Sequence, residues 1–161
     1  SRVKNKSIII VGMHRSGTSA ASGELSRLGV FMGKDLLKAK EGINEKGYGE
    51  NVKIIELNEE IFDGMHSSWD DPMGLIKQKS LIKLSESFVH KAEALFIEEY
   101  QHKKLWGMKD PRVSILLPFW KKALNNIGCE VNYLFIIRHP NEVVKSLVKR
   151  NGFSEKKGLI L

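Results

Sequence analysis

Residues 12–19 have the residue types and spacing best suited to binding an anion, and they read Gly-Met-His-Arg-Ser-Gly-Thr-Ser. Gly12 and Gly17 are separated by four residues, the spacing of a loop that surrounds a phosphate with backbone N–H groups. Where a nucleotide triphosphatase has lysine, this chain has Thr18, and its loop cation is Arg15. A guanidinium and several hydroxyls can bind a phosphate or sulfate. We therefore predict an oxyanion site unlike that of an ordinary ATPase; the alternative is a tight β–α turn without ligand.

This loop has to be held between a buried strand and a helix. Ser7–Val11 is almost entirely apolar, as in a central parallel strand that is covered on both faces. Residues from Thr18 to Leu28 have helical periodicity and are followed by Gly29, a typical C-terminal cap. The loop N–H groups and the N-terminus of this helix would then point at the same anion.

Two further cations follow apolar stretches that we predict to be strands. Lys109 comes after Leu105–Met108, and Arg138 comes after Val131–Ile137. The carboxyl ends of parallel strands lie at one edge of a sheet, where ligands of α/β proteins bind. Three cations at one edge repel each other unless an anion offsets their charge. The sequence therefore predicts a polyanion near Lys109, Arg138 and the loop cation Arg15.

A second anion pocket is predicted beside Arg138. The helix that follows carries Ser146 and Arg150 four residues apart, so that both lie on one face. These three residues would form a phosphate pocket separate from the loop; the alternative is an ordinary solvated helix surface. Two anion pockets on neighbouring strands would suit a nucleotide phosphorylated at both ends of its ribose.

The alternation of strands and helices predicts the overall architecture. We expect an α/β protein with three α/β/α layers and a central parallel sheet, of the P-loop nucleotide-binding type, formed by a single domain over residues 1–161. The irregular segment Val30–Tyr48 is predicted to be a lid over the loop. The remaining predicted helices are Asn51–Phe62, Ser80–Tyr100, a helix from about Pro118 to Asn126 or Gly128, and His139–Arg150, the last closed by Gly152.

The composition narrows the class of protein. The 161 residues are 42% apolar, and no apolar run is long enough to span a bilayer, so no membrane segment is expected. The formal net charge of +7 favours anionic ligands, but the lysines are scattered, and we do not expect nucleic acid as a partner. The single cysteine, Cys129, excludes an internal disulfide and favours a reducing compartment, so a cytoplasmic location is predicted.

These motifs resemble those of the P-loop sulfotransferases. Residues 12–19 are similar to the loop that binds the 5′-phosphosulfate in that family, and Arg138 followed by Ser146 resembles its 3′-phosphate motif. Lys109–Pro111 resembles a motif of the tyrosylprotein and bacterial branches. Lys46–Glu50 is similar to a segment of a bacterial branch. That branch commonly has an aromatic residue where this chain has Gly49. The resemblance covers essentially the whole chain and points to a bacterial-type branch related to tyrosylprotein and carbohydrate sulfotransferases.

The resemblance implies transfer of a sulfuryl group from 3′-phosphoadenosine 5′-phosphosulfate to a hydroxyl or amine, without a metal. The acceptor would be a small molecule or a carbohydrate, and 3′-phosphoadenosine 5′-phosphate would be released. Arg15 would stabilise charge that develops on the leaving phosphate, and Lys109 would assist at the sulfuryl oxygens. The residues implied in donor binding are Gly12, His14, Arg15, Ser16, Gly17, Thr18 and Ser19 at the 5′ end, with Arg138, Ser146 and Arg150 at the 3′-phosphate.

A hydroxyl acceptor also requires a general base. Sulfotransferases use His or Glu, and the candidates here are Glu50, Asp35, Glu41 and His14. Glu50 is the preferred catalytic candidate, because it follows the glycine-rich lid and begins a helix. The alternatives are a helix cap or surface acid for Glu50 and a purely structural place in the loop for His14.

Two other functions remain open. A small-molecule kinase would need a magnesium-binding acid after a strand, and Asp110 is the one candidate. A non-catalytic anion-binding module would retain the nucleotide but have no acceptor site.

The sulfotransferase family is usually longer than this chain, which stops in the apolar run Gly158–Leu161, where a helix ought to continue. We therefore expect a domain truncated at its C-terminus.

Overall fold

A computed structural model of the chain describes residues 5–38, 49–71 and 78–160. Within these residues the three predicted strands form one parallel sheet in the order β2-β1-β3, with β1 in the centre. The predictions of a mixed α/β fold and of a parallel sheet are confirmed. The strands are β1 (Lys6–Val11), β2 (Leu105–Lys109) and β3 (Glu130–Phe135).

The central strand is buried on both faces, which explains its uninterrupted apolar sequence. Successive residues of a strand point to opposite faces of the sheet. Ile9 is fully buried in the main hydrophobic core, whereas Ile10 packs with Val30 and Met32 in a second, smaller cluster. A strand covered on both sides needs apolar residues at every position rather than at alternate ones.

Six helices accompany the sheet in the described residues, and the helices predicted from the sequence lie within two residues of their predicted bounds. A short 3₁₀ turn, Pro111–Ser114, follows β2 and was not predicted. Gly152 has a φ of +66° and ends the fifth helix, as expected for a left-handed cap. The helices are α1 (Thr18–Arg27), α2 (Val52–Gly64), α3 (Gln78–Tyr100), α4 (Leu117–Asn126), α5 (Pro140–Asn151) and α6 (Glu155–Ile160).

The third strand is shorter than predicted. The sequence pattern extends it to Ile137, but β3 ends at Phe135, and the side chain of Ile137 is 90% exposed. The last bond to the central strand is donated by the N–H of Ile136 to the carbonyl of Val11, at 2.9 Å. Because β1 ends at Val11, the chain beyond Ile136 has no strand to pair with on that side.

An aromatic cluster connects β2 to helices α3 and α4. The rings of Tyr100 and Trp106 are stacked with centroids 4.3 Å apart, and Phe96 lies against both Trp106 and Trp120. All four side chains are almost fully buried in the main core. This cluster fixes the side of β2 that faces α3 and so determines where Lys109, at the end of β2, enters the ligand edge of the sheet.

The predicted lid, Val30–Tyr48, is described only up to residue 38, and residues 39–48 lie outside the described residues. The N–H of Gly107 in β2 donates to the carbonyl of Phe31, at 2.9 Å. Further along, the N–H of Leu37 donates to the carbonyl of Glu50, at 2.7 Å. The described part of this segment therefore contacts β2 near one end and, near the other, Glu50 at the start of α2.

Candidate functional site

The anion-binding loop predicted from residues 12–17 does connect β1 to α1. Two of its residues have left-handed backbone conformations, Arg15 with φ +68° and Gly17 with φ +102°. The hydroxyl of Ser16 donates to the carbonyl of Met13, at 2.6 Å, which closes the loop internally. Gly17 is the N-cap of α1 and offers no side chain to the helix. The first N–H groups of the helix are therefore free of a side-chain cap and point toward the loop opening.

Gly12 leaves no room for a side chain. A Cβ at this position would lie 2.7 Å from Cγ2 of Thr18 and 3.0 Å from the carbonyl oxygen of Ile136. Ser114 of the 3₁₀ turn also holds Gly12 in place. Its hydroxyl accepts from the N–H of Gly12, at 3.1 Å, and donates to the carbonyl of Gly12, at 3.1 Å. The start of the loop is thus held between α1, the end of β3 and the turn after β2.

Replacing Gly12 by alanine should therefore lower the free energy of unfolding by about 1–3 kcal/mol, because the added methyl forces the loop and α1 apart. The matched control is Gly23→Ala. Gly23 lies in α1 with no atom within 4 Å of the added Cβ, and alanine there should stabilise by about 0.5–1 kcal/mol through helix propensity. Urea denaturation measures both variants, and equal effects of the two would contradict the steric account.

The side chains at the ends of all three strands meet at one cleft of about 320 Å³, which we call the loop cleft. Arg15 follows β1, Lys109 ends β2 and Arg138 follows β3, and the structure brings the three cations together as the sequence predicted. The cleft is lined by His14, Arg15, Gly17, Thr18, Ser19, Glu50, Lys109, Pro111, Arg138 and Arg150. Most of the residues predicted for donor binding are thus on its wall.

Lys109 and Glu50 form a buried ion pair at the floor of this site. Their side chains are 3% and 9% exposed, and the ammonium of Lys109 also donates to Oγ of Ser19, at 3.2 Å. Burial raises the pKa of the Glu50 carboxyl, and the positive charge and hydrogen bond of Lys109 partly oppose that rise. The carboxylate predicted as general base is therefore the direct partner of the predicted catalytic lysine.

The second anion pocket is not separate from the loop, contrary to the sequence prediction. The guanidinium of Arg15 donates through Nε to Oγ of Ser146, at 2.8 Å. Arg138 donates through Nη1 to the carbonyl of Arg15, at 3.1 Å, and through Nε to Glu142, at 2.8 Å. The two predicted pockets are therefore joined through Arg15, which contacts α5 at Ser146 and accepts from Arg138 through its carbonyl.

Three predicted donor-binding residues lie outside the wall of the loop cleft: Gly12, Ser16 and Ser146. Gly12 shapes the loop from behind, and the hydroxyl proton of Ser16 is used on the carbonyl of Met13. Ser146 already accepts from Arg15. Ser16 is therefore a structural residue of the loop, and Ser146 contacts the loop through Arg15.

A second cleft of about 300 Å³, which we call the tryptophan cleft, lies on the other side of His14. Trp69 and Arg112 were not predicted as site residues, because both lie in segments without regular periodicity, where only the residue type gives a signal. The ring centroids of His14 and Trp69 are 4.1 Å apart. The cleft is lined by His14, Leu37, Lys38, Glu50, Trp69, Arg112, Leu147, Arg150 and Asn151.

Asp110, the only acid considered as a magnesium ligand, is fully buried and bound on both oxygens. Its Oδ2 accepts from Nδ2 of Asn58, at 2.9 Å, and its Oδ1 accepts from the backbone N–H and the guanidinium of Arg112, at 2.9 and 3.0 Å. Asp110 caps the 3₁₀ turn after β2 and so positions Lys109 beside it. Among the described residues, no group of three or more His, Cys, Asp or Glu is arranged to hold a metal ion.

The backbone conformation at position 49 and its close contact with α1 explain why this residue is glycine. The resemblance leads one to expect an aromatic residue there, but Gly49 has φ +63°, and a Cβ would overlap Oγ of Ser22 in α1. The other residues of that motif, 46–48, and the candidate base Glu41 lie outside the described residues. Asp35, the remaining candidate acid, lines neither cleft.

In the part of the chain that the structure describes, no helix is long and apolar enough to cross a membrane. Comparisons of the chain with protein-family models, with curated proteins and with solved structures find no match.

Proposed function

We propose that this chain is a sulfotransferase domain that transfers a sulfuryl group from 3′-phosphoadenosine 5′-phosphosulfate to a hydroxyl or amine of a small-molecule or carbohydrate acceptor. The observation that carries the proposal is the meeting of Arg15, Lys109 and Arg138 at one cleft beside an uncapped helix N-terminus. Three cations and a row of N–H groups form a site for a ligand with more than one anionic group. A P-loop fold with three layers and a cytoplasmic location belong to the same proposal.

The proposed reaction is an in-line displacement at sulfur without a metal. A bond forms between the acceptor oxygen and sulfur, the bond between sulfur and the bridging oxygen breaks, and its electron pair remains on the 5′-phosphate. Negative charge therefore grows on the phosphate oxygens in the transition state. Arg15 and the loop N–H groups would stabilise that charge more than the charge of the ground state, which accelerates the reaction.

Arg138 and Arg150 would select the donor through its 3′-phosphate. Both line the loop cleft and come from the end of β3 and from α5, whereas Lys109 comes from the end of β2. Arg150 has no ion-pair partner among the described residues, whereas Arg138 is held by Glu142. A second phosphate would offset their charge, and ATP has no phosphate at that position of the ribose.

A kinase fits the site less well. The loop has Thr18 where a nucleotide triphosphatase has lysine. Asp110 is fully buried, and its two oxygens already accept hydrogen bonds from Asn58 and Arg112, so it is poorly placed to bind magnesium. These two observations favour an anion transfer that depends on arginine and lysine rather than on a metal ion.

The test is calorimetric titration of the protein with 3′-phosphoadenosine 5′-phosphate and with ATP, each with and without magnesium. We expect the bisphosphate to bind without magnesium and more tightly than ATP. Arg138→Ala should weaken that binding by about 10- to 100-fold, because it removes a charged hydrogen-bond donor from the 3′-phosphate.

The matched control is Arg27→Ala, which removes the same charge from the exposed end of α1, where Arg27 contacts only Glu24 among the described residues. Its affinity should stay within about twofold of the wild type, since exposed ion pairs contribute little. Preference for ATP with magnesium would overturn the sulfotransferase proposal, and an equal loss in the two arginine variants would overturn the assignment of Arg138.

A further inference from the structure

His14 has a buried nitrogen without a hydrogen-bond partner. Among the side chains that the structure describes, Nε2 of His14 is the one buried nitrogen or oxygen atom in this condition. Burying such a group unpaired costs free energy, so native proteins satisfy nearly all of them. The cost is recovered where a ligand supplies the missing partner.

The imidazole lies where the two clefts meet. Of the residues that the structure describes, three line both the loop cleft and the tryptophan cleft: His14, Glu50 and Arg150. If the loop cleft holds the donor, an in-line displacement brings the acceptor from the side opposite the leaving phosphate. The acceptor oxygen then has to reach the sulfuryl group past these three side chains, which places its site in the tryptophan cleft.

Of the three shared residues, His14 is best able to take a proton. Glu50 is bound to Lys109 in a buried ion pair, and Arg150 is a permanent cation. We propose that the acceptor hydroxyl binds in the tryptophan cleft and donates its hydrogen bond to Nε2 of His14, which acts as the general base. This inference rests on the proposed sulfotransferase function and replaces Glu50 by His14 in that role.

The proposed step is balanced in protons and electrons. As the acceptor oxygen bonds to sulfur, its proton passes to Nε2 of His14 and the electron pair of its O–H bond enters the new S–O bond. The imidazolium releases that proton to solvent after the sulfated product leaves. The ring centroid of Trp69 lies 4.1 Å from that of His14, with the two planes tilted by 38°, and this contact restricts the orientation of the imidazole.

The surroundings keep the imidazole neutral and responsive to the donor. Burial, followed by the positive charge of Arg112, lowers the pKa of His14 to about 4, so the ring is unprotonated at neutral pH. A bound polyanion would offset Lys109 and Arg150, which contribute to the lowering, and would raise the pKa toward the working pH. The charged groups around the ring are Lys38, Glu50, Lys109, Asp110, Arg112 and Arg150.

The kinetic test uses two phenols as acceptors, at a pH between their pKa values. Phenol is then protonated and p-nitrophenol is largely ionised, so only phenol needs a base. We expect His14→Gln to slow transfer to phenol by about 10²- to 10⁴-fold, with a much smaller effect on p-nitrophenol. The matched control is His90→Gln on the exposed surface of α3, which should leave both rates unchanged. Equal losses with the two phenols, or an unaffected rate with phenol, would overturn the proposal.

A second measurement does not need an acceptor. Nitrogen-15 histidine spectra of the complex with 3′-phosphoadenosine 5′-phosphate report which ring nitrogen carries the proton, with His14 assigned from the His14→Gln spectrum. We expect an unprotonated Nε2, and a proton on Nε2 at neutral pH would overturn the proposal. Calorimetry separates this failure from failure of the proposed function: if His14 alone is misassigned, the wild type still binds the bisphosphate.

Discussion

Replacing Lys109 by methionine should lower the free energy of unfolding by about 3–5 kcal/mol at neutral pH. Lys109 is 3% exposed and is the ion-pair partner of Glu50. Methionine has a similar length but no charge, so the buried carboxylate loses its counter-charge and one hydrogen bond. Urea denaturation measures the loss. The same variant should abolish sulfuryl transfer if the proposed function is right, because Lys109 lines the loop cleft.

The loss of stability caused by Lys109→Met should depend on pH in a defined direction. Burial already raises the pKa of Glu50, and Lys109 provides the largest opposing contributions. Without Lys109 the pKa of the folded state rises further above that of the unfolded state, so the native state binds a proton more readily. Stability then falls as pH rises through the interval between the two pKa values. Lys109→Met should therefore be least destabilised in acid, where Glu50 is protonated.

The double variant Lys109→Met with Glu50→Gln separates the ion pair from general packing. It removes both charges, so we expect it to recover most of the stability and to lose the additional pH dependence. Glu50→Gln alone should be destabilising, because the buried ammonium of Lys109 would then have no counter-charge. A double variant as unstable as Lys109→Met would show that the loss comes from packing and would contradict this account.

Replacing Asn58 by alanine should also destabilise the protein by about 3–5 kcal/mol. Asn58 is fully buried in α2 and connects two other buried groups. Its Nδ2 donates to Asp110, at 2.9 Å, and its Oδ1 accepts from Nε1 of Trp120, at 2.9 Å. The variant leaves a buried carboxylate with one donor fewer and a buried indole N–H without an acceptor, and it also opens a cavity.

The control for Asn58 is Asn126→Ala in α4. Asn126 is exposed and donates to Glu93, at 2.8 Å, at the surface. Its loss should cost less than about 0.5 kcal/mol. Chemical denaturation compares the two variants, and similar losses would contradict the importance of the buried network. Because Asp110 positions Lys109, Asn58→Ala should in addition weaken binding of the bisphosphate, although Asn58 lines neither cleft.

Most of the backbone organisation could be predicted from local patterns. The apolar run of β1, the glycine spacing of the loop and the periodicity of α1 each depend on neighbouring residues, so they are visible in the sequence. The parallel sheet followed from the alternation of strands and helices. The end of β3 was predicted wrongly, since it depends on where β1 ends and not on the apolar residues of β3 itself.

The sequence by itself determined that cations follow each of the three strands and that parallel strands present them at one edge. Tertiary packing decided which atoms are paired there. Lys109 meets Glu50, Arg15 meets Ser146, and His14 meets Trp69. Each pair joins segments far apart in the chain, so its contact depends on how helices and loops pack around the sheet. Residue type shows what a side chain can do, but burial and partners decide which nitrogen or oxygen remains available for a ligand.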